Sequence, residues 1–484
     1  MTALPDTVTV SGGPVSGRRG TLGSAFLGIP YAQATRLAPP APPEPWSALN
    51  ADSFGPAAPQ PRRPTGDNVF GPPTMLAEQC LSVNVWRPEG VGAELLPVFV
   101  YIHGGGFIVG RAGCAALDGA RLASAAGAVV VTLNYRLGSS GWLAHPGLAE
   151  NAGAPFANWG LLDQVAALEW VRENIGAFGG DPDAVTLAGQ SAGALSVIDL
   201  LATPAAAGLF HRALIQSPPM ADAVADPQLT ERWALALSAQ VTGSREFDPQ
   251  PLRALPAEEL SLLHEQLLAT DEFRGTRGGA LPRIDPASLQ HGPRENAMAS
   301  VGIDVLLGTT ANEGTFFAYL AAPPGEWSEQ DLLARVAHLP GLDERRALEL
   351  VDADHGHGDP RERFARIATA ALVCEPAADW GRARASGGGR VHRYRIDHRS
   401  PRPELGATHS IDVGLMFATF ASDPTTTALC GNGADTAAAS DALIAIVRSF
   451  VHGEELAWPA LDPAAGVDRG AVIGGSAPFD VTDA

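Results

Sequence analysis

The run Gly189-Gln190-Ser191-Ala192-Gly193 has the pattern G-x-S-x-G. A short β-prone stretch, Ala184-Val185-Thr186-Leu187-Ala188, precedes it, and Ala194–Leu201, which can open a helix, follows it. A serine placed directly between strand and helix sits on a sharp, strained turn that leaves its hydroxyl exposed. The flanking residues must be small because the backbone is crowded there. With 54 glycines in 484 residues the pattern can arise by chance, so the strand–turn–helix context is what gives it weight. A serine hydroxyl is a weak nucleophile. It needs a base and an orienting acid from elsewhere in the chain.

A second element, His103-Gly104-Gly105-Gly106-Phe107, follows the apolar run Pro97–Ile102. The dinucleotide fingerprint needs G-x-G-x-x-G at the start of a helix, and that spacing is absent. Glycines after a strand and upstream of the serine suit an oxyanion hole, in which bare N–H groups meet the negative oxygen of an attacked carbonyl.

With these elements in place the chain resembles the type-B carboxylesterases, the cholinesterase-like branch of the α/β-hydrolases that includes bacterial para-nitrobenzyl esterases. The likeness starts at Gly28-Ile29-Pro30-Tyr31-Ala32 and includes Gln79–Trp86. It continues through Asn134-Tyr135-Arg136-Leu137-Gly138, Asn158–Gln164 and Phe178-Gly179-Gly180-Asp181-Pro182 into the serine motif. The family orders its triad Ser, Glu, His. Glu313 in Gly308–Gly314 and His409 in Gly406–Asp412 match, each after a strand-like run. The resemblance then implies Ser191 as nucleophile, His409 as base, Glu313 as the orienting acid, and Gly105, Gly106 and Ala192 as the oxyanion hole.

Of the 12 histidines, those after Glu313 suit the order, and only His409 has the family's surroundings. His338 lies in an apolar helical pattern and reads as a partly buried helix residue. His355 and His357 lie in the polar run 352–359, which reads as a solvated loop rather than a metal site. His392 and His398 flank a strand, and His452 ends a C-terminal helix.

The chain departs from the family in several places. Gln190 precedes the nucleophile where relatives often carry Glu. Asp412, three residues after His409, stands where many carry Glu, and Ser217 matches a position that supports the triad, with Pro218 replacing the usual glycine. The disulfide loop of cholinesterases, with its ammonium-binding tryptophan, would end near Cys80. No tryptophan lies between Gly55 and Cys80, Phe70 is the aromatic there, and Ala58 stands where the partner cysteine would be. Acetylcholine is not an expected substrate, and Cys80 is expected to be unpaired.

No linker divides the chain, so 1–484 reads as one α/β-hydrolase domain: a mostly parallel sheet, helices on both faces, and a helical cap from insertions around 218–293 and 325–385. The net charge of −20 argues against nucleic acid, which calls for basic patches. The basic residues are all arginine, which suggests a GC-rich bacterial genome. The four cysteines have no metal-site spacing and suit reduced thiols in a cytoplasm. The N-terminus has no signal-peptide pattern, and no apolar run approaches the roughly 18 residues of a membrane span.

The expectation is therefore a cytoplasmic serine carboxylesterase, without cofactor or metal, acting on a small-molecule ester. Phe107, Trp142, Phe316, Phe317 and Phe417 are candidate substrate contacts for a bulky or aromatic apolar ester, though each also suits core packing. One alternative keeps the triad and cleaves carbamates or anilides. Another is a non-catalytic binding module on the same fold.

Overall fold

The structure, a computed structural model, describes residues 6–61, 71, 73, 75–90, 92, 94–220, 224–273, 276, 279–320, 325–339, 342, 344–354, 358–464, 469–474 and 477–483. Phe70, His355 and His357 lie outside the described residues.

Apolar β-prone runs pair into one eleven-stranded sheet. In chain order its strands are β1 (Arg18–Gly20), β2 (Gly23–Pro30), β3 (Ser82–Pro88), β4 (Leu96–Ile102), β5 (Val129–Leu133), β6 (Gly180–Gln190), β7 (Arg212–Gln216), β8 (Asp304–Thr310), β9 (Val391–Ile396), β10 (Arg469–Gly474) and β11 (Ala477–Asp483). They lie side by side as β11-β10-β9-β8-β7-β6-β4-β5-β3-β2-β1. From β10 to β5 every neighbour is parallel, and the pairs at the two margins are antiparallel.

The central strands are apolar in their middle stretches because both faces are covered there. Successive side chains point to opposite faces. Thus Val98, Val100 and Ile102 of β4 join one core with the helices Trp159–Asn174 and Ala192–Ala202, where Leu168, Val171, Leu195 and Ile198 are buried. Phe99 and Tyr101 join the opposite core with the helices Ala120–Ala126 and Ala434–Val451, through Leu122, Leu443 and Val447. The fold is that of an α/β-hydrolase.

Two helical segments pack as satellites of these cores. Pro227–Thr242, Pro249–Ala254 and Ala257–Leu268 gather Trp233, Leu237, Leu252 and Leu260 against Trp159 and Leu143. Glu329–Ala337, Glu344–Ala353 and Pro360–Ala368 gather Leu332, Val336 and Phe364, with Phe317 and Tyr319 against them. The following helix, Glu375–Ser386, is different: Ala377 and Trp380 pack into the main core. His338 is exposed at the C-cap of Glu329–Ala337, not partly buried, because the apolar stripe of that helix runs through Leu332 and Val336 instead.

Two of the motif blocks meet at a buried ion pair. Arg136 is bidentate to Asp163, Nε to Oδ2 at 2.8 Å and Nη2 to Oδ1 at 2.6 Å. The Arg136 N–H also donates to Asp163 Oδ2, and the guanidinium donates to the Thr35, Ala38 and Trp159 carbonyls. Both side chains are almost wholly buried. Removing one partner would leave an uncompensated buried charge, so Asp163→Ala is expected to destabilise the fold by about 3–5 kcal/mol. Urea unfolding of variant and native protein checks this, and a change below about 1 kcal/mol, the worth of an exposed pair, would contradict it.

Candidate active site

The chemistry-bearing residues lie beyond the carboxyl ends of the parallel strands, where α/β sheets present their ligands. The glycine run follows β4, Ser191 follows β6, Glu313 follows β8, and His409 lies in the connection after β9.

Ser191 adopts φ 57° and ψ −122° between β6 and the helix Ala192–Ala202. A positive φ is unfavourable for a residue with a side chain and persists only where its surroundings enforce it. Here the Ser191 N–H donates to the Gln216 carbonyl at 2.9 Å, and the helix starts at the next residue. The crowding inferred from the motif is visible in atoms. A Cβ on Gly189 would lie 2.3 Å from the Gly193 carbonyl oxygen, and one on Gly193 would lie 2.1 Å from that of Ile102.

The glycine run packs against this turn. A Cβ on Gly104 would come within 3.1 Å of Ser191 Cβ. Gly105, Gly106 and Phe107 all have positive φ, so the chain curls tightly and the Ile108 and Val109 amides both return to the Gly105 carbonyl. The space beside Gly106 is open, while a Cβ on Gly105 would strike Val109. Ala192 is the first helical residue, so its N–H has no acceptor within the helix. His103 anchors the loop: Nδ1 lies 2.8 Å from the Gly104 carbonyl, its ring stacks on Tyr135, and Tyr135 Oη donates to the His103 carbonyl. Burial pushes its imidazole down to about 4, so the ring is neutral.

Glu313 and His409 are joined in a wholly buried pair. His409 Nδ1 lies 2.6 Å from Glu313 Oε2, and the Thr310 N–H donates to Oε1 at 2.6 Å. Their loops are stitched together by Asn312. Its N–H donates to the Ala407 carbonyl, its Oδ1 accepts from the Ala407 N–H, and it bridges to Thr408 as an isolated parallel β-pair. The Gly314 N–H donates to Thr369 Oγ1. Asn312 and Thr369 hold the loop that carries Glu313, and sequence reasoning missed both. Asn312 was detectable only as the neighbour of Glu313, and Thr369 carried no signal because its contact exists only once the helices pack.

The second imidazole nitrogen meets Gln190 rather than Ser191. Gln190 Nε2 lies 3.1 Å from His409 Nε2, and the Ser191 hydroxyl makes no hydrogen bond to the ring. Asp412 is buried and accepts from Gln216 Nε2 at 2.8 Å through Oδ2. Burial, with the nearby Glu313 charge added and His409 opposing, pushes its carboxyl up to about 7. Ser217 is buried with φ 49°, and its hydroxyl has no protein partner.

The five candidate substrate aromatics separate. Phe107 and Trp142 are fully buried and pack on each other at 4.6 Å, and Phe417 is fully buried against Tyr101 at 5.0 Å. With no exposed surface, these three belong to the core. Phe316 and Phe317 are half-buried, and their ring centroids lie 5.5 and 5.4 Å from that of His409. All four cysteines are free, and burial pushes the Cys80 thiol up to about 12. Among the described residues no His, Cys, Asp or Glu cluster suits a metal, and no helix is long and apolar enough to cross a membrane.

A family-wide sequence model of the carboxylesterase family matches residues 5–457. Para-nitrobenzyl esterase of Bacillus subtilis is 36% identical over 422 residues, covering 85% of this chain and 82% of that one. A probable N-octanoylanthranilate hydrolase of Rhodococcus erythropolis is 33% identical over 425 residues, covering 85% of each. Among solved structures a thermophilic para-nitrobenzyl esterase superposes with a TM-score of 0.83 at 30% identity, covering 99% of this chain and 97% of that one. The chain belongs to the carboxylesterase family and is a serine hydrolase acting on carboxylic esters.

Asp412 makes a pH-dependent contribution to stability. Its folded value lies above the ordinary carboxylate value of 3.8, so native protein keeps a proton that the unfolded chain has released. Stability therefore falls as pH rises from about 4 to about 7 and is unaffected by this group at lower pH. Asp412→Asn, which cannot ionise, is expected to lose that slope. Unfolding free energies at mildly acidic and mildly alkaline pH should show native protein losing on the order of a few kcal/mol more than the variant. Parallel pH profiles would contradict the assignment.

Proposed function

We propose that Ser191, His409 and Glu313 form the catalytic triad, with Gly105, Gly106 and the Ala192 N–H as the oxyanion hole. The observation that carries this reading is the buried His409–Glu313 pair beside a serine held at positive φ. Ser191 Oγ attacks the ester carbonyl while His409 Nε2 takes its proton, and the carbonyl oxygen becomes an oxyanion facing the amides. Collapse expels the alcohol, which takes its proton from His409 and leaves an acyl group on Ser191. Water then attacks the acyl carbon, gives its proton to His409, and the carboxylic acid departs as Ser191 regains a proton. Glu313 holds the ring through Nδ1 and stabilises the imidazolium at each step.

Phe316 and Phe317 beside His409 support a bulky or aromatic apolar ester as substrate. Phe317 packs against the satellite cluster whose buried members run from Ala318 to Ala368, which supports a cap over the site within one domain. Gln190 supplies no charge beside the serine, which weighs against selection of cationic alcohols. The four free thiols support a cytoplasmic setting. A second reading, cleavage of N-acyl bonds by the same residues, is favoured by the name of the Rhodococcus relative.

Ser191→Ala is expected to lower p-nitrophenyl ester turnover by roughly a million-fold while the protein stays folded. Near-native turnover by a folded variant would overturn the assignment. On matched ester and amide substrates, kcat/KM is expected to favour the ester, and the reverse order would install the second reading.

A further inference from the structure

Gln190 and Gln216 end the adjacent parallel strands β6 and β7 and are paired in register. Both side chains reach the segment that carries His409. Gln216 binds Asp412, and Gln190 binds His409 itself. The Glu313 carboxylate is an acceptor, so the proton between it and the ring sits on Nδ1. Nε2 of the neutral ring then presents a lone pair, and the group facing it at 3.1 Å is the Gln190 amide N–H. Gln190 is 1% exposed, and its Oε1 rests against the glycine run, 3.0 Å from where a Gly104 Cβ would stand. The amide thus sits on the atom that must accept the Ser191 proton.

We propose that Gln190 is a positioning residue for the reaction: its amide occupies the lone pair of His409 Nε2 in the resting enzyme and yields it to the Ser191 hydroxyl when substrate enters. The inference rests on the triad assigned above. An amide is the one neutral side chain of this length with a donor at one atom and an acceptor at the other. The donor suits the neutral base. Once Nε2 carries the proton taken from Ser191, a turned amide offers Oε1 as acceptor. A glutamate could only accept, which favours the imidazolium and holds it. A methionine of similar volume has no donor, and its thioether is only a weak acceptor. The other groups about His409 are Glu313 at Nδ1, Asp412 on the helix Ile411–Met416, and the Phe316 and Phe317 rings. These are the same in every variant, so the difference reports on residue 190.

The test is kcat/KM for a p-nitrophenyl ester against pH in native enzyme, Gln190→Met and Gln190→Glu. The acidic limb is expected to move to higher pH in both variants, furthest in Gln190→Glu, by about one pH unit. That is a roughly tenfold loss at a pH on the native limb. A merely structural role would lower kcat/KM equally at all pH values, so coincident limbs overturn the proposal. Should neither variant fold, nitrogen NMR of labelled histidine in the native enzyme decides it. An unprotonated, hydrogen-bonded Nε2 above the acidic limb is expected, and a proton on Nε2 there overturns the proposal. Turnover surviving in Ser191→Ala would defeat the underlying triad. An inactive Ser191→Ala with coincident limbs would defeat the Gln190 proposal alone.

Discussion

The hydrogen bond between Glu313 and His409 is the constraint around which the rest of the site is arranged. It is a direct bond between two buried side chains from loops far apart in the chain. A buried carboxylate is tolerable only when its oxygens are satisfied. Here the Thr310 amide takes one and the imidazole the other. The geometry therefore depends on holding the two loops in register, which Asn312 does by bonding Ala407 through both main chain and side chain. Gly406 leaves room for that amide, since a Cβ there would lie 2.3 Å from Asn312 Oδ1.

The other half of the site is set by crowding. The turn at Ser191 is pressed between the ends of β4, β6 and β7, so its backbone cannot relax to an ordinary conformation. The glycine run lies against the same turn and is anchored from behind by His103 and Tyr135. Deeper still, Arg136 ties the segment after β5 to the helix Trp159–Asn174 and to the loop at residues 35–38. Chemistry and stability thus share one scaffold.

Two further residues set the polar surroundings of His409. Gln190 sets a neutral amide against the imidazole, and Asp412 is a carboxyl that burial and Glu313 keep from ionising readily. Gln190 bonds the ring itself, and Asp412 lies three residues beyond it on the same segment. Neither alters the pairing with Glu313.

Ser191 was legible in the sequence because local chemistry marks its turn, whereas Glu313 and His409 were legible only through the resemblance to the family, since neither stands out by its own neighbours. The strand–Gly–x–Ser–x–Gly–helix run can be built only as a crowded turn, and the apolar runs of β4 to β8 require a sheet covered on both faces. The fate of the aromatics was not legible. Phe107, Trp142 and Phe417 look no different in sequence from Phe316 and Phe317, yet packing sends three into the core and leaves two beside His409. Nor could sequence place the Gln190 amide on Nε2, or Asn312 and Thr369 behind Glu313. Those contacts join residues from separate elements, and their distances exist only after the sheet, the loops and the helical insertions have closed on one another.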